Sequence, residues 1–166
     1  MEIDITSVVI GLASLATFAI PIGYDQLKGK RTESRAKQQF LSTSANIGFQ
    51  HGQFDLLRNQ AVIGIGKNNE ELLYVKDSDN YSLVELRNIT SCQQYKSQKK
   101  VPDGGNSEQT MKEIGLHINH QNGNEIKLPV FEGRDGTQRG DESIVVESWM
   151  SRIIAARNKL EQGISN

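Results

Sequence analysis

The chain predicts a mainly β protein: a single N-terminal transmembrane helix and stalk, then an antiparallel β meander or barrel capped by a C-terminal amphipathic helix. Three observations predict it. An uncharged stretch, SVVIGLASLATFAIPIGY, lies near the start. Short apolar runs of strand length, separated by turn residues, fill the middle. From Asp141 the pattern changes to helical periodicity. The boundaries are 1–24 for the anchor, 25–44 for a juxtamembrane helical stalk and 45–163 for the β domain with its helix.

The anchor comes first. Ile5 to Tyr24 is uncharged, and about 20 helical residues at about 1.5 Å each cross a bilayer core. The opening MEIDI carries Glu2 and Asp4 and no basic residue, which opposes a secretory signal. Pro21 between Ile20 and Ile22 leaves no small-residue cleavage site. A buried core helix needs a polar face, and Thr6, Ser7, Ser14 and Thr17 do not make one. Lys28, Lys30, Arg31, Arg35 and Lys37 follow, against Asp25 and Glu33, so the positive flank stays in the cytoplasm. The expectation is an uncleaved single span in a bacterial cytoplasmic membrane, with the N-terminus outside and the C-terminal domain inside. Hydrophobic residues are 36% of the chain, which confines any membrane part to this one segment.

The stalk, 25–44, contains RTESRAKQQFL, good helix formers with few β-branched residues. It is polar almost all round, which predicts a solvated helix.

The period then changes. NIGFQHGQFDLL, AVIGIG, ELLYVK, YSLVEL, ITSCQQYKSQ, KEIGLHIN and EIKLPVF are strand-length runs. Turn material separates them at Arg58-Asn59, 67–69, 77–80, 102–106 and 119–124. Leu116, Ile118, Ile126, Leu128 and Val130 alternate cleanly about NHQNGN, a hairpin signal. Many short strands with no intervening helices imply antiparallel pairing. The last segment places Val145, Trp149, Ile153, Ala156 and Leu160 on one helical face, with Val146, Met150 and Ile154 beside it. Asp141 occupies the N-cap position and Gly163 the stop.

A meander of six or seven strands closed by one amphipathic helix is the arrangement of a PH-like barrel. FDLLRNQAVIGIGKNNEELLYV, LVELRNITSC and the Trp-bearing VESWMSRIIAARNKL also resemble a family of uncharacterised bacterial membrane-anchored proteins. The resemblance implies a binding module and hands over no site residues.

Chemistry is sparse. With 166 residues and 19 Lys+Arg against 20 Asp+Glu, no global field points to nucleic acid. Cys92 is the single cysteine, which suits a reducing compartment and reads as a small core residue. His117 and His120 lie three apart without Cys, Asp or Glu at ligand spacing, so no metal is expected. Lys96, Lys99 and Lys100 precede a Gly-rich inter-strand turn, and are the candidate ligand-binding residues for an anionic headgroup. Arg139-Gly140-Asp141 belongs to the linker into the final helix, where Asp141 has a capping role.

The functional expectation is a non-catalytic, membrane-tethered binding or scaffolding module with a protein partner, no catalytic residues and no cofactor. Lipid-headgroup binding through Lys96, Lys99 and Lys100, or a structural place in a membrane complex, come second. A membrane enzyme using Cys92 and the histidines comes last.

Overall fold

The structure, a computed structural model, describes residues 30–103, 106–133 and 140–163, with side chains omitted over 99–111. In chain order it runs α1 (30–47), β1 (His51–Leu56), β2 (Val62–Gly66), β3 (Glu71–Val75), β4 (Tyr81–Glu85), a short 3-10 turn (Leu86–Asn88), β5 (Ile89–Asp103), β6 (Asn106–His120), β7 (Glu125–Glu132) and α2 (Glu142–Glu161). The strands form two antiparallel sheets, one of order β1-β2-β3-β4 and one of order β5-β6-β7.

Alternation explains which face each residue covers. Ile63, Ile65, Leu72, Tyr74 and Val84 share a cluster with Ile114, Leu116, Ile118, Leu128 and Val130 of the second sheet. Val146, Trp149, Ile153 and Ala156 of α2 complete this core. The intervening residues Val62, Leu73 and Val75 form a second cluster with Phe49 and with Ala36 and Phe40 of α1. β2 is therefore buried on both faces, which is why Ala61–Gly66 reads as one unbroken small and apolar run.

Two glycines mark where elements touch most closely. A Cβ on Gly64 would stand 2.8 Å from Phe40 Cζ and 2.9 Å from Phe54 Cβ, so the missing side chain is the seat of the Phe40 ring. A Cβ on Gly115 would lie 2.3 Å from the Leu128 carbonyl oxygen, beside the register irregularity of the β6–β7 pair. A polar knot ties the sheets together. Tyr74 Oη and Asn59 Nδ2 both donate to the Pro129 carbonyl, at 2.8 and 2.7 Å.

Four expectations are corrected. The fold class built on a transmembrane helix is corrected to two antiparallel sheets and two helices, none of the helices among the described residues being long and apolar enough to cross a membrane, so the membrane signal-anchor reading finds no helix there to carry it. The proposed anchor itself, 1–24, lies outside the described residues. The described part of the stalk is no solvated helix: Ala36, Phe40, Thr43 and Ser44 are buried, because one apolar residue per turn or so is enough to dock on a sheet with a glycine hollow. The single curled meander gives way to separate sheets of four and three strands, since the 3-10 turn at Leu86–Asn88 divides β4 from β5. The expected turn at 102–106 also shrinks, because β5 and β6 run on as one long hairpin.

Candidate functional site

β1 and β2 do not pair evenly. His51 faces Gly66 and Phe54 faces Gly64, so Gly52 and Gln53 together oppose Ile65. This is a β-bulge, and a bulge bends a strand and re-aims its side chains. Beside it runs the C-terminal half of α2. Between them lies a groove of about 370 Å³, lined by Gly52, Gln53, Ile65 and Gly66 on the sheet and by Trp149, Arg152, Ala155, Ala156 and Lys159 on the helix, with Lys67 and Asn69 from the β2–β3 turn.

Its shape follows from small residues. Gly52 and Gly66 keep the strand side low, and Ala155 and Ala156 do the same for the helix. Ile65 and Trp149 give an apolar floor.

Its charge has one sign. Lys67, Arg152 and Lys159 line the groove and no carboxylate does. Arg152 is held on two sides: Nη1 donates to Asp55 Oδ2 at 2.7 Å, and the guanidinium lies 4.8 Å from the Trp149 ring centroid. A guanidinium fixed this way keeps donors to spare in a set orientation. Lys67 and Lys159 have no ion pair among the described residues, so nothing there neutralises them.

None of the sequence candidates lines this groove. Lys96 is exposed on β5 opposite Ile114, and Lys99 and Lys100 pair with Thr110 and Gln109. They belong to a strand ladder and not to an inter-strand loop. Cys92 is buried opposite Ile118, and burial pushes its thiol up to about 11. A thiol so protonated is a poor nucleophile at neutral pH. His117 lies 3.2 Å from Glu125, while His51 packs against the Phe40 and Phe54 rings, which also touch each other. Among the described residues no group of three His, Cys, Asp or Glu side chains could hold a metal ion. Asp141 does stand at the N-cap position of α2, yet its side chain makes no capping bond and pairs with Arg58 instead.

Arg152 and Lys159 are one heptad apart on α2 with alanines between, a pattern visible in the sequence once the helix is known. Lys67 and the Gly52-Gln53 bulge carry no such signal, because only the fold brings them there.

Compared with known proteins, the chain matches no family model, no curated protein and no solved structure. The resemblance to membrane-anchored PH-like proteins gains no support from these comparisons.

Proposed function

We propose that the protein is a non-catalytic binding module whose groove between α2 and the β1 bulge takes an acidic segment of a protein partner. One observation carries the reading: an open groove whose lining holds three cations over an apolar floor, Arg152 paired with Asp55 and Lys67 and Lys159 without an ion pair among the described residues. Such a lining attracts carboxylates, and the apolar floor of Ile65 and Trp149 favours a chain with side chains to bury over a bare ion. Arg152, clamped by Asp55 and Trp149, offers a fixed fork to a carboxylate. The protonated, buried Cys92 and the separately engaged His51 and His117 favour binding over catalysis.

The test is site-specific photocrosslinking in the host cell. A crosslinker at Ala155, inside the groove, is expected to yield one discrete protein adduct, lost when Lys67→Glu and Lys159→Glu are combined. A crosslinker at Ile144, exposed at the far end of α2, is the control. Equal labelling from both positions, or an adduct indifferent to the charge reversals, sinks the reading.

A further inference from the structure

We infer that β4 is a self-pairing edge through which two copies of this chain join their four-stranded sheets about a two-fold axis at Leu83.

Among the described residues four strands end a sheet: β1, β4, β5 and β7. A free edge invites pairing with another chain, and proteins blunt such edges with bulges and prolines. Three of the four are blunted. β1 carries the Gly52-Gln53 bulge, β5 has register irregularities at 89/91 and 97/98, and β7 carries Pro129 beside the irregularity at Ile114/Gly115. β4 pairs with β3 in unbroken register from Tyr81↔Val75 to Glu85↔Glu71, without proline or lysine.

The backbone phase of that edge can be read from its two ends. At one end Lys76 N–H donates to the Asn80 carbonyl, and at the other Leu86 N–H donates to the Glu70 carbonyl. Hydrogen-bonded pairs alternate along an antiparallel ladder, so the even residues Ser82 and Val84 bond to β3. Tyr81 and Leu83 therefore turn their N–H and C=O groups outward, as does Glu85 its N–H.

Side chains point the same way. Tyr81 and Leu83 are exposed by 45% and 42%, although their ladder partners Val75 and Leu73 are buried under α1. The apolar row of that face thus runs off the edge of the sheet uncovered.

A second copy fits this edge better than an arbitrary strand. Antiparallel pairing centred on Leu83 sets Leu83 against Leu83 and Tyr81 against Glu85, so the full five-residue strand overlaps and no two carboxylates face each other. It makes four backbone hydrogen bonds, two between the Leu83 residues and two from Glu85 N–H to the Tyr81 carbonyl. The same register brings the exposed Arg87 of one copy to the end where the exposed Asp77 and Asp79 of the other lie. The interface is isologous, as a closed dimer requires.

Sedimentation of the full chain over a concentration series, together with cysteine crosslinking, tests this. The unmodified chain should be a dimer that dissociates on dilution. Leu83→Lys should make it monomeric by placing like charges on the axis. Leu83→Pro should do the same with the fold intact by circular dichroism, since it removes an outward N–H and no bond to β3. In a Cys92→Ala background, Leu83→Cys alone should form an intermolecular disulfide on mild oxidation. Its Cα atoms would sit about 5.5 Å apart in a hydrogen-bonded pair, within the roughly 4.4–6.8 Å that a disulfide spans. Tyr81→Cys and Glu85→Cys, each facing the other and not itself, should not crosslink singly. A chain monomeric at every concentration, as when the edge serves another protein's strand, overturns the inference. So does a dimer unmoved by Leu83→Lys, or equal crosslinking at positions 81, 83 and 85.

Discussion

The two faces of the four-stranded sheet are covered in different ways. On one face, Ile63, Ile65, Leu72, Tyr74 and Val84 meet a whole second sheet and the buried stripe of α2. On the other, Val62, Leu73 and Val75 meet one helix, through Ala36 and Phe40. The first is a core closed by two layers and pinned by the hydrogen bonds of Asn59 and Tyr74 to Pro129. The second is a smaller cluster built around the Phe40 ring in the hollow over Gly64, with Phe49 and Phe54 against that ring. The difference separates what makes the domain fold from what is laid upon it, and it predicts that α1 loosens before the sheets do.

Alanine at the two closest glycines measures this contrast directly. At Gly115 the new Cβ meets backbone, the Leu128 carbonyl at 2.3 Å and Pro129 Cα at 2.9 Å, and neither can move without shifting β7. Gly115→Ala should cost about 3 kcal/mol, the upper end for overpacking, and lower the urea midpoint of the whole domain. At Gly64 the new Cβ meets the far tip of the Phe40 ring at 2.8 Å, which a small lift of the helix relieves, and Phe54 Cβ at 2.9 Å, which asks for a shift of the bulged edge strand β1 alone. Gly64→Ala should cost about 1–2 kcal/mol. If Gly64→Ala proves the more damaging, the ranking of the two faces is wrong.

Phe40→Ala isolates the outer face. The ring is fully buried, and its loss removes a contribution of about 3 kcal/mol from docking α1. Because that contribution is local, amide exchange should accelerate across 36–47 while β6 and β7 keep their protection. Equal acceleration in β6 would show that the two clusters unfold as one.

Parts of this arrangement were open to reading from sequence. The alternation about NHQNGN puts Leu116 opposite Leu128 and Ile118 opposite Ile126, and those pairs form because a two-residue period with one buried face admits a single register. The row Trp149, Ile153, Ala156 is buried, whereas Ile154, expected beside it, is 38% exposed, since the apolar stripe is narrower than the sequence suggests. Phe40 is hidden in a polar stretch, since one aromatic per helix has no period to detect, and its partner Gly64 passes unmarked inside the strand-length run AVIGIG although it is a receptor for a ring. The groove was out of reach for a similar reason. Lys67 and Arg152 become neighbours only through the sheet's curvature and the bulge at Gly52-Gln53, and neither residue is unusual in its local context.

Cys92 gives the smallest and most selective probe, because it belongs to the inner core alone. Burial raises its thiol from the ordinary 9.0 to about 11, so the folded state resists forming the thiolate and the unfolded state does not. The stability this carries is complete below pH 9 and drains away as pH climbs through 11, since the unfolded chain releases the proton first. Tyr74 and Tyr95 are also pushed up by burial, Tyr95 further by its hydrogen bond to Glu113. They lose stability in the same direction from about pH 10, where the unfolded tyrosines ionise and which overlaps the range of the thiol, so the thiol must be read by difference. Urea midpoints of the unmodified chain and Cys92→Ala should stay a constant distance apart from pH 7 to 9, then converge between 9 and 11. The same convergence should persist when Phe40→Ala is added to both chains, because freeing α1 leaves the inner core dry. If Phe40→Ala abolishes the convergence, water reaches Cys92 through the outer face, and the sheet does not insulate one cluster from the other.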